Sequence, residues 1–448
     1  MDRDRLQSLL GQVLDYAKMA GAEAADVLLI GSEAQSVTAY KGKVEKINSA
    51  HSFDLGLRVF QGKKQALVSS QDLASAGLKK MAEEGVSMLK YVPEDENCGL
   101  RDGLPGELVD ETALDLFDAS SVDISSLTNR ALACEEAANS SNDFVIAEES
   151  SAGGSNSYYG IASTSGFSHI SKQSGHYSSV SVLAHQDGER QVHSDYTYQT
   201  HLKDLRSSKN LGEDVALWAQ KKLKARKIAS QKIPIVFDPR MGARILGYFV
   251  DAINGRSVSV EGRSFLKNKM NESVANKGVT IIDDPFMSRG RGSVFIDHEL
   301  VVPQKKHLVD DGVLKSWILD LRTARKMGLE STGHGFRSAK SIPSPSCTNL
   351  YLQNGSIETS DLIKSISKGL YVFDLMGYGY NVATGDVSEG AMGFWIENGE
   401  VTYPVHEITI AGNLFDIFSS MILGNDLSFN YGVNTPTMLV EGMTIAGV

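Results

Sequence analysis

At 448 residues the chain is too long for one ordinary hydrophobic core, and two domains of roughly 200 residues each are the expectation. Its 42% hydrophobic and 22% charged residues are those of a globular protein, while a net charge of -11 repels phosphate backbones and disfavours a nucleic-acid partner. No stretch approaches the roughly 18 consecutive apolar residues that a membrane span requires.

Leu6, Leu9, Leu10, Val13, Leu14 and Ala17 recur at helical spacing over residues 2–20, with Gly21 as the stop. Four short strands are expected at 26–30, 36–47, 53–60 and 65–69, punctuated by Gly31, Gly42 and Gly62. Helices follow at about 72–90 and 123–140. Between 143 and 198, Ser, Gly, Tyr and His alternate with Val and Ile, the texture of antiparallel strands with one wet face. A helix over about 203–225 carries Leu211, Val215, Trp218 and Leu223 on one side. The basic run Lys221 to Lys227 closes it and suits the negative end of a helix dipole. This α+β first half is expected to span 1–228 and a mostly β second half 229–448.

In the second half a strand at 233–237 leads into Asp238-Pro239, an N-cap acid with proline at the first helical position. That helix is expected to stop at Asn254-Gly255. Strands are expected at 278–282, 313–319, 349–352, 370–374, 391–396 and 400–404. The last two flank Asn398-Gly399, the dipeptide that best matches strand twist in a tight hairpin.

Catalytic chemistry is not self-evident. Zinc proteases need several N, O or S ligands and a carboxylate base, usually with two histidines on one helix. None of the ten histidines forms HExxH. At His298-Glu299 the positions for a second histidine hold Val302 and Pro303, and proline disrupts a ligand-bearing helix. His193, Asp195 and His201 alternate along one stretch but read as a solvated sheet face rather than a ligand set. His334 and Cys347 would make a base and nucleophile, yet no glycine-rich elbow or adjacent base marks Cys347. The glycine-rich pieces 288–293 and 377–379 lack the strand–loop–helix setting of a nucleotide site. Cys98, Cys134 and Cys347 are far apart and odd in number, and the opening residues contain no apolar leader core. Reduced thiols and a cytoplasmic location are the expectation.

Longer strings carry more. FIDHE (295–299), DDGVLKSWILDLRTARKMGLESTGHGFR (310–337), TNLYLQNG (348–355) and GYGYNVATGDVSEGAMGFWIENGEVTYPVHEITIAGNL (377–414) follow one another in order. Together with the helix–strands–helix opening, they make the chain resemble the TldD/PmbA family, formerly termed modulators of DNA gyrase. NVATGDVSEGAMGFWIENGE and EITIAGNL place the resemblance in the PmbA (TldE) branch.

The resemblance implies an α+β fold of that type and a peptidase of two subunits, in which the TldD branch binds zinc through a HExxxH helix. The corresponding helix here is GARILGYFVDAINGR (242–256), which puts Gly247 and Ala252 at the histidine positions and Tyr248 at the glutamate. Glycine and alanine offer zinc no lone pair, and a tyrosine of pKa near 10 is a poor base. The helix retains Ile245, Leu246, Phe249, Val250 and Ile253 as its expected buried stripe.

The implied role is therefore the non-metal-binding subunit of a heterodimer, with no cofactor in this chain, zinc in a TldD-type partner, and unfolded peptides as substrate. A homodimer stays open when the partner is absent; no nucleic acid or membrane is implied. An extended peptide would add to a sheet edge in the second half. Candidate cleft residues are Asn381, Thr384, Asp386 and Ser388 in the polar loop 381–388, and Arg337 in the segment 331–337. Alternatives are a stand-alone metal-independent hydrolase using Cys347 and His334, and a non-enzymatic regulator linked to DNA gyrase. The chain departs from the family pattern at His298 and Leu300, where an acid and a glycine are expected.

Overall fold

The computed structural model describes residues 3–120 and 122–447, so residue 2 of the first expected helix lies outside it, as do positions 1 and 448 of the expected domain limits. The first half is one six-stranded antiparallel sheet with two helix pairs. In chain order these are α1 (Arg3–Met19), β1 (Ala24–Tyr40), β2 (Lys43–Gln61), β3 (Lys64–Ser70), α2 (Ser75–Met88), α3 (Ile124–Asn139), β4 (Val145–Ser163), β5 (Ser168–Gln186), β6 (Glu189–Gln199) and α4 (Ser208–Lys221). The strand order is β3-β2-β1-β4-β5-β6.

Alternation along β1 explains the layering. Val27 and Leu29 face α1 and α2, Val37 and Ala39 face α3, and Leu28 points to the opposite side, against Phe295, Ile296 and Leu300 of the second half. Both helix pairs therefore cover one face of the sheet, and the second half covers part of the other.

Several boundaries differ from the sequence reading. Gly31 does not end a strand: it lies inside β1 opposite Phe53, whose ring would be 2.5 Å from any Cβ there. A small residue accommodates the aromatic ring, so the pieces expected at 36–47 and 53–60 are parts of long β1 and β2. Their turn is at Lys41 and Gly42, both at positive φ. The helix expected at 203–225 begins only after Ser207, whose hydroxyl accepts from Asn210 N, and it ends at Lys221. The rest of the basic run leaves the helix, with Lys224 at φ 62°.

The second half contains β7 (Gln231–Phe237), α5 (Pro239–Ala252), β8 (Ile281–Asp283), β9 (Lys306–Asp310), β10 (Val313–Leu314), α6 (Leu321–Met327), β11 (Gly335–Phe336), β12 (Ser344–Pro345), β13 (Leu350–Leu352), α7 (Thr359–Lys364), β14 (Lys368–Met376), β15 (Asp386–Glu397), β16 (Glu400–Asn413), α8 (Leu414–Ser420), β17 (Ile422–Leu423), β18 (Val433–Asn434) and β19 (Met438–Ala446). Strands β16-β15-β14-β7-β19 are neighbours in that order, and β16 also pairs with β19, closing a five-stranded barrel. A five-stranded sheet, β10-β9-β8-β13-β18, stands beside it.

The strand expected at 313–319 stops at Leu314, because the chain turns to let Asp320 cap α6 through Thr323 N. The edge strands of the smaller sheet, β10 and β18, are two residues long each, so the second half offers little edge for strand addition. The long open edge is in the first half: residues 43–52 of β2 pair with β1, and β3 pairs only with 55–61.

The halves meet closely. A Cβ on Gly56 of β2 would come 2.2 Å from the Ala339 carbonyl oxygen, so only glycine allows that approach. Beside it lies a buried charge network: Arg58 Nε donates to Asp26 Oδ2 at 3.1 Å, Arg337 Nη2 donates to Asp26 Oδ1 at 2.8 Å, and Arg58 Nη1 is 3.5 Å from Glu299.

Candidate functional site

Helix α5 starts where the sequence places it. Asp238 accepts from Met241 N at 2.9 Å, and Pro239 occupies the first turn. Ile245, Leu246 and Phe249 enter the main apolar cluster, which draws on both the barrel and the smaller sheet. Val250 is only partly buried, and Tyr248 and Ala252 are buried in its stead. Ala252 is 0% exposed. Space beside Gly247 is open, with no atom within 4 Å of a Cβ placed there.

Tyr248 ties this helix to the barrel. Its hydroxyl donates to Glu389 Oε1 and accepts from Arg244 Nε at 2.9 Å. Arg244 Nη2 lies 3.0 Å from Glu389 Oε2, an ion pair by distance without hydrogen-bond alignment. The same guanidinium donates to the Leu375 and Gly377 carbonyls and so fixes the chain leaving β14. Burial first, and the hydrogen bond to Glu389 second, push the Tyr248 phenol up to about 12. It cannot serve as a base near neutral pH. Tyr380 stacks on it at 4.8 Å, and Tyr378, largely exposed, meets it edge-on at 5.5 Å.

The donor set at this helix does not suit zinc. Gly247 and Ala252 carry no ligand atom, and the Tyr248 oxygen is committed to two partners. Among the described residues no group of three or more His, Cys, Asp or Glu is arranged to hold a metal ion.

Asn381, Thr384, Asp386 and Ser388 are brought together and are all exposed. Asn381 N donates to Asp386 O at 2.9 Å, Asp386 N to Thr384 Oγ1 at 3.3 Å, and Ser388 N to Gly379 O at 2.7 Å. Asn413 Nδ2 clamps the loop through Thr384 O and Asp386 Oδ1. Tyr380 bridges to Val387 and stacks on Tyr248, so the loop adjoins α5. Arg337 does not belong there. Its side chain is 0% exposed and committed to Asp26, and such burial rules out a place on a solvent-facing cleft wall. Residues 331–336 likewise turn inward at Gly333, His334 and Gly335.

The other candidates separate. His201 leaves the strand and lies 2.9 Å from the Asp115 carbonyl, while Asp195 pairs with Arg206. Burial pushes His193 down to about 3, which leaves it neutral beside Lys222 and Arg240. His334 Nε2 meets Asp283 at 3.0 Å rather than Cys347, and Asp283 also accepts from Thr348 N and Oγ1. Burial, and then Asp283, hold the Cys347 thiol well above its ordinary range, which is the opposite of an activated nucleophile.

Three domain models of one family cover the chain: PmbA/TldA metallopeptidase domain 1 over residues 25–89, the central domain over 117–223, and the C-terminal domain over 230–447. The metalloprotease PmbA of Escherichia coli O157:H7 is 30% identical over 453 residues, covering 99% of this chain and 97% of its own. The chain belongs to the PmbA/TldD metallopeptidase family. A Bacteroides thetaiotaomicron family member, described as a modulator of DNA gyrase, superposes with a TM-score of 0.91 at 27% identity, covering 100% of both chains. TldE of Thermococcus kodakarensis shares the fold, with a TM-score of 0.87 at 19% identity over 98% of this chain and 100% of its own.

Within this PmbA/TldD framework, sequence reasoning missed Arg244, Glu389, Tyr378 and Tyr380. The detectable signal was Glu389, an acid that alternates in register with the buried apolar residues Val387 and Ala391. Its aromatic and cationic partners come from separate segments, and only the fold assembles them.

Proposed function

We propose that this chain is the non-metal-binding subunit of a heterodimeric zinc metallopeptidase, inactive alone, whose TldD-type partner supplies zinc and whose substrates are unfolded peptides. The supporting observation is a full-length family fold whose α5 replaces metal donors with Gly247 and Ala252 and commits Tyr248 to Glu389 and Arg244. Such a helix keeps its packing duty and has no zinc chemistry of its own. The exposed loop Asn381–Ser388 and the presented ring of Tyr378 are the surface this reading assigns to peptide or partner contact. It takes 1–228 and 229–448 as the two domains and a reducing, cytoplasmic compartment, with which three free cysteines are in keeping.

The stand-alone hydrolase is the weaker reading, since burial holds the Cys347 thiol in its protonated form and His334, the base it would need, is bonded to Asp283. The test is to purify the chain and a TldD-type subunit separately, mix them and follow casein digestion. Digestion requiring both chains, with zinc retained by the partner, is expected. Activity of the mixture equal to that of the partner alone would sink the proposal.

A further inference from the structure

Between the first sheet and the second half lies a cavity of about 250 Å³, lined by Leu28, Ile161, Phe295 and Phe336 and bordered by Lys172 and Arg291. Protein interiors leave few voids larger than a water molecule, and an apolar hollow at a domain junction is a usual place for a small ligand. This volume is below the roughly 300 to 1,000 Å³ of drug-sized sites, and suits a group no larger than one amino-acid residue.

The charges along the cavity are unequally matched. Of its two carboxyl groups, Glu111 is 2.8 Å from His169, and Asp297 accepts three backbone N–H groups, from Glu299, Val301 and Gly335. Among the described residues the two cations have no such partner. Arg291 lies 4.2 Å from the Tyr198 ring centroid, and its Nη1 is buried with no hydrogen-bond partner. Lys172 Nζ faces the rings of Tyr158 and Phe117 at 5.3 and 5.6 Å. An apolar hollow with two cations at its border that pair with no carboxylate among the described residues fits a small apolar or aromatic group that ends in a carboxylate. Guanidinium favours that acceptor in particular.

We infer that this cavity binds an apolar carboxylate, such as a free aryl-alkanoic acid or the carboxyl-terminal residue of a peptide, with Arg291 and Lys172 as the anion-recognising groups. The inference does not depend on the metal-free role of α5 or on a partner subunit.

The full chain is titrated calorimetrically at neutral pH with 3-phenylpropanoate, with its primary amide, and with a short peptide ending in phenylalanine. The acid is expected to bind one per chain, and the amide roughly tenfold more weakly. Arg291→Gln is expected to reduce the acid's affinity by about tenfold and leave the amide unchanged. Lys172→Gln, at an exposed side chain, gives a second charge readout if Arg291→Gln does not fold. Val294→Trp, which fills the hollow, is expected to abolish binding of both. A peptide that binds like the acid identifies a chain terminus as the ligand form, and one that does not identifies the free acid. Equal affinity for acid and amide, undiminished binding to Val294→Trp, or no saturation by about 5 mM acid overturns the inference.

Discussion

Arg244 Nε donates to the Tyr248 hydroxyl across 2.9 Å, one helical turn apart, and both side chains reach Glu389 of the barrel. The contact places a buried carboxyl under α5 and makes the tyrosine its principal donor. Tyr248→Phe removes that donor without opening a cavity. A loss of about 1–3 kcal/mol is expected, because the Glu389 oxygen stays buried without its hydrogen bond. Urea unfolding of the two chains checks it, and an unchanged midpoint would show that the hydroxyl contributes nothing.

Writing a HExxxH motif into α5 is not expected to create a zinc site. In the triple variant Gly247→His, Tyr248→Glu, Ala252→His, the first position has open space, but the third is 0% exposed within the main core. A histidine there overpacks that core at a cost of about 1–3 kcal/mol or more. Metal analysis of the dialysed variant should find far less than one zinc per chain. Stoichiometric zinc would mean that α5 shifts more readily than its packing implies.

Arg58 joins Asp26 of its own sheet to Glu299 of the second half, with all three side chains 3% exposed. Arg58→Met keeps an apolar stem but takes from buried Glu299 the cation it pairs with and leaves Asp26 with Arg337 alone. The expected loss is about 3–5 kcal/mol. Differential scanning calorimetry reads it, together with any separation of one transition into two.

Burial first, and then the neighbouring Glu299, push the Asp297 carboxyl up to about 8. A raised acid holds its proton in the folded chain at pH values where the unfolded chain has lost it. Its contribution is therefore most favourable below the ordinary carboxylate range and declines as pH rises from there through about 8. Asp297→Asn should flatten that decline. Urea midpoints at intervals from pH 5 to 8 make the comparison, and parallel curves for the two chains would contradict it.

Leu300, where the sequence reading expects glycine, has a φ of 64°. Relief of left-handed strain favours Leu300→Gly by about 1–3 kcal/mol. The side chain is nevertheless 5% exposed among Leu28, Ile161 and Phe295, and removing a buried leucine costs about 2–5 kcal/mol. Lost burial outweighs relieved strain, so net destabilisation is expected. A higher melting temperature for Leu300→Gly would show that backbone strain dominates.

Local chemistry was legible where a few adjacent residues decide the outcome. Asp238-Pro239 opens α5, and Asn398-Gly399 turns β15 into β16, with Asn398 at φ 52° and Gly399 at φ 81°. The α+β class and the family were legible from long ordered strings. Strand lengths were not, because Gly31 reads as a stop until Phe53 is known to lie across from it. Arg337 was misplaced for a related reason: its partner, Asp26, is 311 residues away. Helices α6 and α8 are seven residues each, too short for a periodic pattern to register.

The last strand of the barrel, β19, lies between β7, which opens the second half, and β16. During synthesis the earliest segment of that half must therefore wait more than 200 residues for its neighbour, with a row of backbone groups unsatisfied on one side. Clipping the final nine-residue strand would expose two seams at once, leaving a protein prone to stick to its own kind rather than merely a shorter one.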